Sequence, residues 1–264
     1  MTEPTLLLDG RGLVESPRWH DGALWFADWT AGEILRLNGG GAEVMARAPA
    51  PPLSFDFDAE GRLLVVSSAA GELLRQGLDG RLATFARLGE GVWNEIVVDG
   101  RGNAYVNGPQ LVLVGPDGRV TPQVSDFAFP NGMAVTPGNK TLIVAESHAR
   151  HLTAFDIAAD GQLSRRRVWA ALDGPPDGIC IDETGAVWVA DVPNACCWRV
   201  REGGEVLNRV QLDRGAFACM LGGPDRRTLY VTAARWFGMD RMAEMAGTGQ
   251  VLSVAAPHPG AGCP

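Results

Sequence analysis

The sequence has no apolar run long enough to span a membrane, no surplus of basic residues and no even set of cysteines. The first absence argues against a transmembrane helix. The N-terminal "MTEPTLLLDGRG" also lacks the basic flank and long apolar stretch of a secretory signal. The second, a net charge of −8, argues against a nucleic-acid or anionic-membrane partner. The nearest basic cluster, "RRR" at 165–167, reads as a solvated strand edge. The third, five cysteines with two of them adjacent at 196 and 197, does not make a disulfide framework. Reduced thiols in a cytoplasmic protein are expected. Helical segments are scarce too; the best candidate, "GMDRMAEMAG" at 238–247, stands alone. A (β/α)₈ barrel, which needs eight helices, is thereby disfavoured.

What is abundant is turn chemistry. The chain carries 34 Gly and 17 Pro in 264 residues, spread without a linker or collagen period, which implies many tight turns between short strands. A short apolar strand ending in a small or polar residue recurs: "LWFAD" to Asp28, "LLVVS" to Ser67, "NAYVN" to Asn107, "LIVAE" to Glu146, "VWVAD" to Asp191 and "LYVTA" to Ala233. The spacings are 39, 40, 39, 45 and 42 residues. Four short strands per period of this length is the pattern of a β-propeller blade. The chain therefore reads as an all-β, six-bladed β-propeller forming a single domain over 1–264. The last blade lacks an outermost strand, and "TLLLD" at 5–9 is available to supply it and close the ring.

Counting back from each second-strand end by 13 to 15 residues reaches the start of the inner strand of that blade. In four blades this position holds an oxygen-bearing side chain: Glu15, Asn94, Asn131 and Asp177; the other two have Ser54 and Ala218. Taken singly, Asn131-Gly132 and Asp177-Gly178 read equally well as turn dipeptides. Their common register argues that all four face one axis. Two carboxylates brought together in a channel repel unless one is protonated or a cation lies between them. All-oxygen donors favour a hard divalent ion such as Ca²⁺, Mg²⁺ or Mn²⁺, with Ca²⁺ the one expected here. None of the four His residues falls at this level, which disfavours a conventional zinc site without removing Zn²⁺ from the candidates.

Five segments, "LVESPRWHDGALWFADW", "VWNEIVVDGRGNAYVNG", "FPNGMAVTPGNKTLIVAES", "PPDGICIDETGAVWVAD" and "LGGPDRRTLYVT", resemble the senescence-marker-protein-30/gluconolactonase/luciferin-regenerating-enzyme family, nearly end to end and in order. The resemblance implies one divalent metal in the channel and hydrolysis of lactones, typically of sugars. By motif match it implies Glu15, Asn131 and Asp177 as metal ligands. Asn94 would lie beside the metal and help hold substrate or water, and Asp177 would also be the general base. One departure stands out. Family members that act on sugar lactones often carry Arg two residues before the second-motif Asn; here that position is Val92, followed by Trp93. A less polar lactone or ester is then the expected substrate.

Loops after each second strand emerge on the face of the four oxygens, and they supply the candidate pocket residues Trp29, His148, Asn194, Trp236 and Phe237. The long, Met-rich segment 234–249 suits a lid over such a pocket. The alternatives are an aryl-esterase or organophosphate hydrolase on the same centre, or a non-catalytic ligand-binding propeller, for which a large apolar patch on the mouth would speak. A monomer or weak dimer is expected.

Overall fold

The computed structural model describes residues 3–48 and 51–264. These residues form six four-stranded antiparallel sheets arranged as a six-bladed β-propeller. The first blade runs outward through β2 (Val14–His20), β3 (Ala23–Asp28), β4 (Glu33–Asn38) and β5 (Gly41–Arg47). The second has β6 (Leu53–Phe57), β7 (Leu63–Ser67), β8 (Glu72–Gln76) and β9 (Leu82–Arg87). The third has β10 (Ile96–Val98), β11 (Ala104–Val106), β12 (Leu111–Val114) and β13 (Val120–Val124). The fourth has β14 (Pro130–Val135), β15 (Thr141–Glu146), β16 (His151–Ile157) and β17 (Leu163–Ala171). The fifth has β18 (Ile179–Ile181), β19 (Val187–Asp191), β20 (Cys196–Val200) and β21 (Val206–Gln211). The sixth has β22 (Gly215–Gly222), β23 (Thr228–Ala234) and β24 (Gly249–Ala255), and its outermost strand is β1 (Thr5–Arg11).

The ring therefore closes through the N-terminal strand, with Thr5 opposite Ser253 and Leu6 opposite Leu252. This arrangement hides the edge of β24, which otherwise offers a row of unpaired N–H and C=O groups. Burial follows position in the blade. The second strands β7, β11 and β19 are buried throughout because both faces meet neighbouring blades, and the outermost strands are largely half-buried or exposed. The Arg165–Arg167 cluster lies on outermost β17, and the flanking residues Arg165 and Arg167 bind Asp156. All five cysteines are free thiols.

The polar residues that end the second strands tie down the mouth loops. Asp28 accepts from the backbone N–H of Gly12 and Ala31 at 3.1 Å each. Glu146 accepts from Ala128 N–H at 2.8 Å, and Asp191 accepts from both the backbone and the side chain of Asn194. At the far end of the channel the C-terminal segment crosses beneath the ring, with Cys263 bridged to Val135 and Gly260 to Asp182. The isolated helical candidate is a short 3₁₀ segment, Met239–Met245, within the 234–249 loop. Among the described residues no helix is long and apolar enough to cross a membrane.

Candidate functional site

The six inner strands β2, β6, β10, β14, β18 and β22 neighbour one another around the axis. At their mouth ends they enclose a cavity of about 800 Å³, with Glu15, Asn94, Asn131 and Asp177 together in its lining. Two of these positions depend on departures from regular pairing. The β2–β3 register slips between Glu15 and Arg18, and the β14–β15 register slips between Pro130 and Met133. Such bulges re-aim a side chain out of the alternation that a flat strand imposes.

The glycines after Asn131 and Asp177 serve close approach. Neither lies in the left-handed φ range. A Cβ on Gly132 would lie 2.6 Å from the Asp177 carbonyl oxygen and 2.6 Å from the Ile179 nitrogen. One on Gly178 would lie 2.3 Å from the Ala218 Cβ. Only a residue without a side chain lets β14 approach the fifth blade this closely, and Gly132 N–H donates to the Asp177 carbonyl at 3.2 Å. "NG" and "DG" therefore act as contacts between blades, a role that sets Asn131 beside Asp177.

A polar network holds these groups in place. Asn94 Nδ2 donates to the Pro130 carbonyl at 3.2 Å and to Asn131 Oδ1 at 3.3 Å. Asn107 Nδ2 donates to the Asn131 carbonyl at 2.6 Å, and its Oδ1 accepts from Glu95 N–H at 3.2 Å. Ser147 Oγ donates to the Pro176 carbonyl at 2.6 Å, stapling the fourth blade to the fifth. Glu15 is buried and accepts from Ser16 N–H at 2.8 Å. Asp177 Oδ1 is buried and receives no hydrogen bond.

Burial pushes the Glu15 carboxyl well above its ordinary range; the charges of Asp177 and then Glu95 push it further, against Ser16 N–H and Arg18. Burial likewise raises Asp177 well above the usual aspartate value, with Glu95 adding to the effect and the Asn131 carboxamide opposing it. Beneath this level lies a layer that the sequence reading did not single out. Buried Arg18 donates to Glu95 Oε1 at 3.0 Å and to the Ile96 carbonyl at 2.6 Å, and its Nε lies 3.6 Å from Asp56. Ser16 Oγ donates to Glu95 Oε2 at 3.3 Å. Burial raises both Glu95 and Asp56, and Arg18 pulls both back. Two carboxyl groups, Glu15 and Asp177, thus line the mouth, while Arg18 pairs with Glu95 and Asp56 beneath them.

This donor set fits a hard divalent cation. It offers two carboxylates and two carboxamides, one carboxylate oxygen has no partner, and both carboxyls are destabilised as anions when no cation is present. Among the described residues no group of three or more His, Cys, Asp and Glu side chains comes together as a metal site, and the set here relies on its carboxamides.

The pocket candidates separate. Trp29, His148 and Trp236 line the cavity. Trp29 Nε1 is engaged by the Leu53 carbonyl at 2.7 Å, His148 stacks on Phe129 with ring centroids 4.7 Å apart, and Trp236 packs edge-on to Phe217 at 5.5 Å. Asn194 lies outside the lining because its side chain closes a turn on Asp191 at 2.8 Å. Phe237 also lies outside, covered by the Arg241 guanidinium at 5.3 Å from its ring. The 234–249 loop is pinned by fully buried Met245, and its contributions to the cavity lining are Trp236 and Met239. Val92 lines the cavity, whereas Trp93 is buried in the core.

Comparison with known proteins gives a concordant picture. The model of the SMP-30/Gluconolactonase/LRE-like region matches residues 13–235. A 6-deoxy-6-sulfogluconolactonase of Pseudomonas putida is 30% identical over 134 residues, 49% of this chain and 46% of the relative. The matched part thus spans about half the length of that relative. Regucalcin of Xenopus laevis is 28% identical over 249 residues, 83% of this chain and 82% of the relative. Among solved structures, a luciferin-regenerating enzyme superposes with a TM-score of 0.82 at 21% identity, covering 98% of each chain. A calcium-binding protein, regucalcin, from Agrobacterium tumefaciens superposes with a TM-score of 0.80 at 19% identity, covering 99% of this chain and 95% of that one. At these identities the superpositions speak to the fold.

Proposed function

The chain belongs to the SMP-30/Gluconolactonase/LRE-like family, and we propose that it is a divalent-metal-dependent hydrolase that opens lactones in its mouth cavity. The observation that carries this reading is the partnerless, buried Oδ1 of Asp177 beside Glu15, Asn94 and Asn131. Glu15, Asn131 and Asp177 would hold the cation, with Asn94 beside it. The oxygen donors, together with a relative described as calcium-binding, favour Ca²⁺, with Mg²⁺, Mn²⁺ and Zn²⁺ as alternatives. When bound, such an ion neutralises the paired carboxylates and polarises a carbonyl.

The chain's own groups then do the following. Asp177 takes a proton from a water at its carboxylate as the water oxygen bonds to the acyl carbon. The bond between that carbon and the ring oxygen breaks, the ring oxygen takes the proton, and a hydroxy acid leaves. Asn94 orients the lactone or the water. Its carboxamide is held by the Pro130 carbonyl and Asn131, so little ordering remains at the moment of reaction. The free thiols accord with a reducing, cytoplasmic setting.

The apolar mouth also suits a non-catalytic binder, and the unsatisfied carboxylate beneath it favours chemistry. The test is to strip the protein with chelator and assay lactones, aryl esters and a phosphotriester with each metal restored. Metal-dependent lactone turnover is expected, and Asp177→Ala should lower kcat by about 10²-fold or more. Turnover by none of the metals, or full activity in Asp177→Ala, overturns the reading. Preferred hydrolysis of the aryl ester or phosphotriester would move the assignment to that chemistry.

A further inference from the structure

Above the four oxygens the cavity wall has few groups that hydrogen-bond. Seven of its lining residues are proline: 51, 52, 109, 130, 175, 176 and 193. Proline has no N–H, so these stretches of wall present no backbone donor. Among the described residues no lysine or arginine lines the cavity. The Trp29 indole N–H is committed to the Leu53 carbonyl, and the Ser147 hydroxyl proton to the Pro176 carbonyl. Beyond the four oxygens, His148 and the Trp236 indole N–H bring polar ring atoms to the wall, and the rest of it is largely hydrocarbon. Val92, Phe129, Trp236 and Met239 line it with 66, 52, 44 and 49% of their surfaces exposed.

An exposed apolar rim around a deep cavity marks a site that a ligand covers. One member of the rim is held at a conformational cost. Phe129 has φ +62°, a left-handed conformation that side chains other than glycine seldom adopt. Ser147 N–H donates to its carbonyl at 3.0 Å, and its ring stacks on His148. Strain of this kind persists where the surroundings enforce it, and it concentrates at ligand clamps.

From this wall we infer that the lactone accepted here carries a hydrocarbon substituent instead of ring hydroxyls, the substituent lying against Val92, Phe129 and Trp236. The inference rests on the hydrolase reading for the lactone itself and on the wall for the substituent. A sugar lactone entering the cavity would lose water from each hydroxyl and find few partners in exchange, whereas an alkyl chain would cover the rim.

The test compares two six-membered lactones, δ-decalactone and glucono-δ-lactone, on the metal-restored protein. The alkyl lactone is expected to have a kcat/KM higher by about 10²-fold or more. Val92→Arg and Phe129→Ala should each shrink that ratio by about tenfold, mainly through KM of the alkyl lactone. A parallel arm uses metal-free protein and the corresponding lactams, with tryptophan fluorescence reporting binding. There 6-pentylpiperidin-2-one should bind about tenfold or more tighter than gluconolactam. If the sugar compounds do as well in turnover or in binding, the substituent inference is overturned while the lactonase reading stands. If neither lactone is hydrolysed with any metal but the alkyl lactam binds selectively, the lactonase reading fails and the apolar specificity of the cavity stands.

Discussion

Asp177 and Glu15 illustrate how a buried site stores unfavourable charge. Burial is the largest cause of the upward shift for both, and Asp177 adds to it at Glu15. In the metal-free protein both carboxyls therefore bind protons more tightly than in the unfolded chain, where carboxyls titrate near about pH 4. The folded state holds the greater number of protons at any pH between the unfolded and raised folded values. Stability is then fullest below the unfolded value and is lost as pH rises through the folded one. In chelator, the urea midpoint should fall as pH rises above the unfolded carboxyl value of about 4. Asp177→Asn, which removes one of the two titrating groups, should make that decline shallower. An unchanged slope in the variant would mean that the pair is not the source. A divalent cation should flatten the slope in the unmodified protein and have little effect in Asp177→Asn.

At the scale of the strand, the fit of one blade against the next is as specific as the chemistry it carries. Gly132 meets the backbone of the fifth blade, with the prospective Cβ contacts at 2.6 and 2.7 Å and none of them to a flexible side-chain end. Gly132→Ala must therefore move β14 away from β18 or strain both. We expect a loss of about 1–3 kcal/mol in denaturant unfolding and a weaker affinity for the cation by calorimetry, since Asn131 and Asp177 separate together. Wild-type stability in this variant would show that the strands yield freely. The sequence discloses the level of the four oxygens, because inner-strand starts recur at nearly fixed distances before second-strand ends. It does not disclose the layer of Arg18, Glu95 and Asp56 below. The first five positions of β2 are all buried, so no alternation separates channel-facing from core-facing residues. The bulge after Glu15 then breaks the count. Asn194 misled for a local reason: in "DVPNA" the nearest acceptor for its carboxamide is Asp191, three residues back.

Over the whole molecule, the propeller has no covalent link closing its ring: its five cysteines are free, and the circle is completed by the pairing of β1 with β24 and by packing between blades. The repeat of about 40 residues announced six blades and pointed to residues 5–9 as the missing strand. It was silent on the C-terminal segment, whose bridges to Val135 and Asp182 involve single residues without strand pattern. The mostly exposed outer surface of β1 contributes little core, so its value lies in closure and edge protection. Deleting residues up to Arg11 removes the partner of β24 and bares its edge, while Glu15, in the adjacent strand β2, is retained. Two outcomes are expected together: a lower midpoint in thermal unfolding and concentration-dependent association seen by analytical ultracentrifugation as exposed edges pair. A truncated protein that stays monomeric and unfolds at the wild-type temperature would place the closure in blade packing alone. Cation affinity measured on the folded fraction separates the two roles of the N-terminal region. It should survive the truncation if β1 is only a clasp, and fall if closing the ring is also what holds Glu15 opposite Asp177.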